Sequence, residues 1–341
     1  MSEISKKRLG FISFIQFVGV LSVIYGHSMN SIEVPLWLKE TKYWVYTYHM
    51  PLFFMVSGYL FSFNGGFNHK GGIKKTLWAK FERLMIPYII WNLLFIAPKY
   101  LLADYSVDHI ELTPGYFFHI MLSPRNNILG HTWFLFALFE MFVLAILFEK
   151  LKANKRLWIP VAMILLVINC FGVQERFLAV GDLMKNGIYF WVGLILGTVD
   201  LIKLIDWARD KTLLITLMFI LIGGTVIWAF SHNGTHSSYL FNTCVLGFSV
   251  ILLIAIFQIK FSINSSFVDF VSVNSFAIYI MHWPILMVIR AVVNYKLHLP
   301  PVACMLTMFI GGLAIACGIA YLLRKMNWPI MKGVRKYVFG M

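Results

Sequence analysis

Apolar runs long enough to cross a lipid bilayer recur along the whole 341-residue chain. About 20 residues of helix cross ~30 Å of hydrocarbon. Runs of roughly that length lie at 11–31, 44–63, 84–103, 132–149, 157–173, 187–202, 213–230, 239–258, 271–293 and 301–323, so about ten spans are expected. They are expected as helices, because lipid offers no water to unpaired backbone groups and the runs are too long for barrel strands. Composition agrees. The chain is 60% hydrophobic and 13% charged, against about 25% charged in a soluble domain. This excludes a pair of soluble domains, a disordered chain and a disulfide-rich module. The expected fold class is all-α: a polytopic integral membrane protein with a single transmembrane domain over residues 1–341. The longest polar gap, 104–131, is expected to hold a short interfacial helix at Tyr116–Leu122.

Charge gives an expected orientation. Lys6, Lys7 and Arg8 precede a first run of full spanning length with no small-residue cleavage site after it, which reads as an anchor rather than a signal peptide. With the N-terminus cytoplasmic and ten spans, most of the 29 lysines and arginines fall on the cytoplasmic side. They include Lys70, Lys74, Lys75, Lys80 and Arg83, then Lys150, Lys152, Lys155 and Arg156, and the group from Arg324 to Lys336. The outer loops receive Lys39, Lys42, Arg125, Arg176, Lys185 and Lys296. Such a bias follows the positive-inside rule, so both termini are expected in the cytoplasm. The net charge of +14 is then a matter of topology, and no nucleic-acid partner is expected.

Several chemistries find little support. Cys170, Cys244, Cys304 and Cys317 lie in or beside apolar runs and form no CxxC pair, which argues against zinc and thiol-redox sites. His232 and His236 have HxxxH spacing but lack a third ligand nearby, a poor metal site. No metal is expected. The two halves show no internal match, which weighs against a transporter built from inverted repeats. Gly193 and Gly197, four residues apart in the sixth run, suit close approach of a neighbouring helix.

Polar side chains inside spans are expensive and mark functional candidates. The first run carries Gln16 and His27, eleven residues apart. They share a helix face about 16 Å apart along the axis. The second opens with His49, then Pro51 and Ser57-Gly58, and His49, Phe53, Val56 and Leu60 line one stripe. Asn92 lies in the third run, Glu140 in the fourth, and His282 and Arg290 in the ninth. A histidine near an interface commonly serves packing alone, as His131, His49 and His282 would singly. A buried carboxylate needs a cation, a donor or a proton, and an ion pair with another helix is the plain role for Glu140. A histidine facing a cavity can take a proton from a hydroxyl, and a carboxylate can orient it. The basic segment 64–83 is expected as a cytoplasmic loop that could hold phosphates.

Five motifs in order resemble one family, the acyltransferase 3 family of bacterial membrane O-acyltransferases. They are His49 to Phe61 (HMPLFFMVSGYLF), Arg83 to Tyr88 (RLMIPY), Trp133-Phe134-Leu135 with Leu138 and Glu140, Phe190 to Gly197, and Ser275 to Tyr279 (SFAIY) with His282 and Pro284. The fourth-helix motif is similar to that of the fucose O-acetylase-like members, and the match covers nearly the whole chain. The resemblance implies a multi-pass protein of the bacterial cytoplasmic membrane. It also implies transfer of an acyl group, usually acetyl, from acetyl-CoA or another acyl-CoA to a sugar hydroxyl of an envelope glycan or lipid-linked precursor. Its histidine at the end of the first helix maps onto His27, the expected base, with Glu140 as the second catalytic residue. Gln16, His49, Ser57, Trp133, Tyr279 and His282 are the expected substrate-binding residues, and Arg83, Lys74 and Lys75 the expected CoA-binding residues. Gln16 stands where the family carries Arg or Lys, and Ser13 where it carries an acid. A glycan flippase and a non-catalytic family member are the alternative readings.

Overall fold

The computed structural model describes residues 3–66, 72–101, 113–147, 157–171, 177–200 and 240–341, with 203, 205–207, 213, 217 and 220–224. Among them every regular element is helical and no strand occurs. The chain forms two compact units. One comprises Met1–Phe63 and Tyr189–Met326; the other comprises Asn64–Ile188 and Asn327–Met341.

In the first unit, α1 (Glu3–Ser28) is the central helix. Around it pack α2 (Leu36–Phe63), α9 (Leu240–Phe261), α10 (Ser266–Val273), α11 (Ser275–Arg290) and α12 (Pro301–Lys325). In the second unit, α3 (Gly72–Leu94) packs against α6 (Trp133–Leu147) and leads into α4 (Ile96–Leu101). Also on the second unit's stretch of chain are α5 (Pro114–Leu122) and α7 (Trp158–Phe171). The C-terminal helix α13 (Pro329–Phe339) rests on α3. There the Trp91 Nε1–H donates to the Val338 carbonyl at 2.8 Å. The Glu82 carboxylate lies 3.0 Å from the Lys336 ammonium and holds it above its usual range by hydrogen bonding. The unit boundary at Ile188 and Tyr189 falls within α8 (Val180–Leu196).

Five helical stretches among the described residues are long and apolar enough to cross a membrane: Gly10–Ser28, Gly72–Tyr100, Gly130–Leu147, Ser275–Lys296 and Pro301–Lys325. Trp158–Asn169 and Leu246–Phe261 are apolar but shorter. The helix over the second run is long enough, at 28 residues. Its apolar character is diluted by Thr47, Tyr48 and His49, which are buried within the unit rather than turned to lipid. The seventh run, 213–230, lies mostly outside the described residues, as do Lys70, Lys150, Lys152, Lys155, Arg156, Arg176, His232 and His236.

Several expected boundaries are corrected. The basic segment expected as a loop is helical from Gly72, so Lys74, Lys75, Lys80 and Arg83 ride on the same helix as the apolar run. Nothing between Ile73 and Ile86 breaks a helix, and the chain keeps its hydrogen bonds by continuing. For the same reason α2 starts at Leu36 rather than 44. The sixth helix starts at Val180 rather than 187, because its polar first turns are satisfied internally. The Arg125 Nε–H faces both Asp182 oxygens at 3.0 and 2.8 Å, and Asn186 donates back to the Asp182 carbonyl at 2.9 Å. The ninth run is two helices, α10 and α11, parted at Asn274, whose backbone (φ −102°, ψ 8°) leaves the helical region. A short helix, α5, covers Tyr116–Leu122, where one is expected.

Close packing of α2 on α8 depends on the absence of side chains. A Cβ at Gly193 would overlap the Met55 carbonyl oxygen, one at Gly197 the Tyr59 carbonyl, and one at Gly58 the Phe190 carbonyl. The sequence-level expectation for Gly193 and Gly197 is met, and Gly58 completes the contact from the other side. Gly318, in contrast, has nothing within 4 Å of such a Cβ. Overpacking costs about 1–3 kcal/mol where side chains can yield, and backbone carbonyls yield less. Gly193→Leu is therefore expected to lower the melting temperature of the detergent-purified protein by several degrees, and Gly318→Leu to leave it unchanged. Equal melting of both variants would refute the assigned contact.

Candidate active site

Three histidines from three helices meet at the C-terminal end of α1. His27 lies in its last turn. Its ring centroid is 5.1 Å from that of His282 on α11 and 5.2 Å from that of Trp283. The Tyr46 ring on α2 lies 6.1 Å from His27 on one side and 4.9 Å from His49 on the other. Tyr279 packs against His282 at 5.5 Å. Burial separates the three. His282 and His49 are buried at 0% and 5% exposure, while His27 is half-buried. Of the three, His27 is the one a substrate can reach.

His49 and His282 share a local arrangement. Each stands two residues before a proline inside its helix, Pro51 in α2 and Pro284 in α11. A proline within a helix lacks an N–H and loosens the turn before it. Each imidazole turns back to a backbone carbonyl of that turn: His49 Nδ1 to Val45 at 2.8 Å, and His282 Nδ1 to Tyr279. A carbonyl only accepts, so Nδ1 carries the proton in both rings, and a neutral ring then has its lone pair on Nε2.

His27 is held differently. Its Nδ1 lies 2.9 Å from the Asn30 side-chain nitrogen, Nδ2. With the amide nitrogen toward the ring, the imidazole proton sits on Nε2. With the amide oxygen toward the ring, the proton sits on Nδ1 and Nε2 is left as a base. Asn30 is the hub of this end. Its backbone N–H donates to the His27 carbonyl at 3.1 Å. The Tyr46 hydroxyl donates to its side-chain oxygen at 3.4 Å and to the Gly26 carbonyl at 3.3 Å.

The other expected residues lie as follows. In the first unit, Gln16 is at the far part of α1, where its Oε1 accepts the Ser272 hydroxyl at 2.6 Å. Ser57 is half-buried beside Gly58 on α2. In the second unit, Lys74, Lys75 and Arg83 are exposed along α3. Glu140 is half-buried on α6, and its Oε2 is buried with no hydrogen-bond partner among the described residues. Trp133 lies under the Arg125 guanidinium, 4.0 Å from ring to cation, in the cluster that holds Asp182. Asn92 is fully engaged. It donates to the Tyr88 carbonyl and Thr132 Oγ1 at 2.8 and 3.0 Å, and accepts from the Leu129 N–H at 2.8 Å. That ties α3 to the turn before α6 and leaves Asn92 nothing for a substrate.

The structure thus brings His27, His49, Tyr279 and His282 together. Asn30, Tyr46 and Trp283 join them without having been singled out in the sequence. Asn30 follows His27 by three residues, the one spacing that could have pointed to it. Tyr46 and Trp283 look in sequence like interfacial aromatics. No group of three metal-ligating side chains occurs among the described residues.

Comparison with known proteins fits this arrangement. The chain is 29% identical over 143 residues to Glucans biosynthesis protein C of Escherichia coli K12 (strain DH10B), with the same figures for the proteins of that name in E. coli O1:K1 and O139:H28. The matched stretch is 39% of this chain and 35% of those relatives, so the chain spans about a third of their length. No solved structure matches. The family model for the acyltransferase domain of acyltransferase 3 proteins matches residues 9–324, nearly the whole chain and every residue of the histidine cluster, and the chain accordingly belongs to the acyltransferase 3 family.

Proposed function

We propose that this protein is a membrane O-acyltransferase that moves an acyl group, acetyl in the simplest case, from acyl-CoA to a sugar hydroxyl of an envelope glycan or lipid-linked precursor. The observation that carries the reading is the half-buried His27 at the centre of the histidine cluster, in a chain of an acyltransferase family. The proposed topology has ten spans in the bacterial cytoplasmic membrane with both termini in the cytoplasm. The distribution of lysine and arginine supports it.

In the proposed reaction, Nε2 of His27 takes the proton of the acceptor hydroxyl as its oxygen attacks the thioester carbonyl. The carbon–sulfur bond breaks, His27 returns the proton to the departing thiolate, and the products are the ester and free CoA thiol. For this, His27 must hold its other proton on Nδ1, so the Asn30 amide must be turned over from its orientation in the structure, its oxygen to the ring and its nitrogen to the Tyr46 hydroxyl, which then donates to the Gly26 carbonyl alone. Tyr46, half-buried like His27, lines the approach for the acceptor, and the buried His49, Tyr279 and His282 back these two side chains. Ser57 and Trp133 stay proposed substrate-binding residues, each within its own unit. Glu140 is proposed as the second catalytic residue, on the strength of the Trp133-Phe134-Leu135, Leu138 motif in which it stands. Gln16 is uncharged and already accepts a hydrogen bond from Ser272. Donor phosphates therefore fall to Arg83, Lys74 and Lys75, which stand exposed on one helix.

His27→Ala is expected to lower transfer to membrane glycan by about 10²–10⁴-fold, and Glu140→Gln to lose transfer while reaching the membrane in normal amount. Full transfer by His27→Ala would remove the base, and unchanged turnover in Glu140→Gln would return that carboxyl to packing. The Asn30 side chain separates positioning from packing. A carboxylate there only accepts, so Asn30→Asp is expected to keep transfer. Asn30→Leu is expected to lower kcat by at least about tenfold with KM unchanged, short of the ~10⁴-fold that a fixed wrong tautomer costs a catalytic triad. Equal loss in both variants would show that Asn30 does not set the His27 proton.

A further inference from the structure

Arg290 is a charged residue that this mechanism leaves unused. It ends α11, inside a stretch apolar enough to span a membrane. A guanidinium in a protein is always charged and presents five donors in a rigid fork. Here one of them, Nη1, reaches the Asn30 carbonyl at 3.5 Å, the limit of a hydrogen bond. Its Nε is buried with no partner. Glu33 and Glu40 are the acids of the neighbouring α1–α2 segment, the first exposed and the second buried. Among the described residues no carboxylate forms an ion pair with Arg290. An uncompensated charge in such a segment is expensive and marks a site by default.

A second observation concerns the backbone. One residue after Arg290 the helix widens into a π-helical turn, Ala291–Lys296, closed by the Leu297 N–H on the Val292 carbonyl at 2.9 Å. Segments of this kind are rare and concentrate at functional sites. A third concerns position. Arg290 and His27 both touch Asn30, the one through its backbone carbonyl and the other through its side-chain amide. A single residue thus links the guanidinium to the imidazole. Lys42, with its ammonium 5.5 Å from the Tyr46 ring centroid, adds positive charge at the same end.

We propose that Arg290 is the anion-binding residue of the acyl-transfer site, holding a carboxylate or phosphate oxygen of one of the two substrates beside His27. The assignment of that anion to a substrate rests on the acyltransferase reading; the anion site itself does not. The oxyanion comes either from the acceptor, as an acidic sugar or lipid phosphate, or from the far end of a dicarboxylic acyl group.

The test uses the full chain purified in detergent, as wild type, Arg290→Gln and Arg290→Lys. Melting temperature is followed against succinate and inorganic phosphate, with chloride at matched ionic strength. One of the two oxyanions is expected to stabilise wild type in a saturable way. Arg290→Gln is expected to weaken that effect at least about tenfold, and Arg290→Lys, which keeps charge but loses the fork, to fall between. Without added anion, Arg290→Gln is expected to melt at or above the wild-type temperature, since it removes an unpaired charge; a structural arginine would do the reverse. Calorimetry with acetyl-CoA and succinyl-CoA, and separately with glucuronic acid and undecaprenyl phosphate, then identifies the source. Tighter binding of succinyl-CoA that is lost in Arg290→Gln places the anion on the acyl group. Arginine-dependent binding of glucuronate or the lipid phosphate places it on the acceptor. Oxyanion binding without binding of either CoA ester would sustain the anion site and remove the acyltransferase reading. No oxyanion effect on wild type, or an equal effect on Arg290→Gln, would overturn the proposal.

Discussion

Lipid cannot hydrogen-bond, so each polar group carried into a span must be matched from within the protein. Much of this structure follows from how that demand is met. Asn92 meets it with three bonds to neighbouring backbone and hydroxyl groups. Asp182 meets it with Arg125. His49 and His282 meet it with carbonyls of their own helices, in turns that Pro51 and Pro284 loosen. The groups met least well gather the chemistry. They are the Glu140 oxygen with no described partner and the Arg290 guanidinium with its idle Nε.

The histidine cluster shows why three similar side chains have different uses. Two are immobilised, buried and fixed in proton position by carbonyls. The third answers to an amide that can accept or donate. An imidazole beside an amide that can turn over can take either tautomer. That difference comes from sequence position. His49 and His282 sit mid-helix before prolines, whereas His27 sits in the last turn, where Asn30 can fold back on it.

The helical architecture was readable in the sequence because apolar length is set by the bilayer. The ends of helices were not, because a helix does not stop where polarity begins. The segments 36–43, 72–83 and 180–186 lie outside the apolar runs, where hydropathy places loops, yet each is helical. The break at Asn274 left no trace in hydropathy, since both flanking helices are apolar. Within the site, His27, His49 and His282 stood out as polar residues in apolar runs. Asn30, Tyr46 and Trp283 did not, because an asparagine after a helix and aromatics near an interface are ordinary there. Only their approach through folding shows that they surround His27.

The most direct test of the central claim follows the acyl group itself. Proteoliposomes holding the full chain would receive acyl-labelled acetyl-CoA and an extract of envelope glycan. The account predicts label on the glycan as a base-labile ester, with one CoA thiol released for each ester formed. Movement of glycan across the bilayer with no thiol release would contradict it.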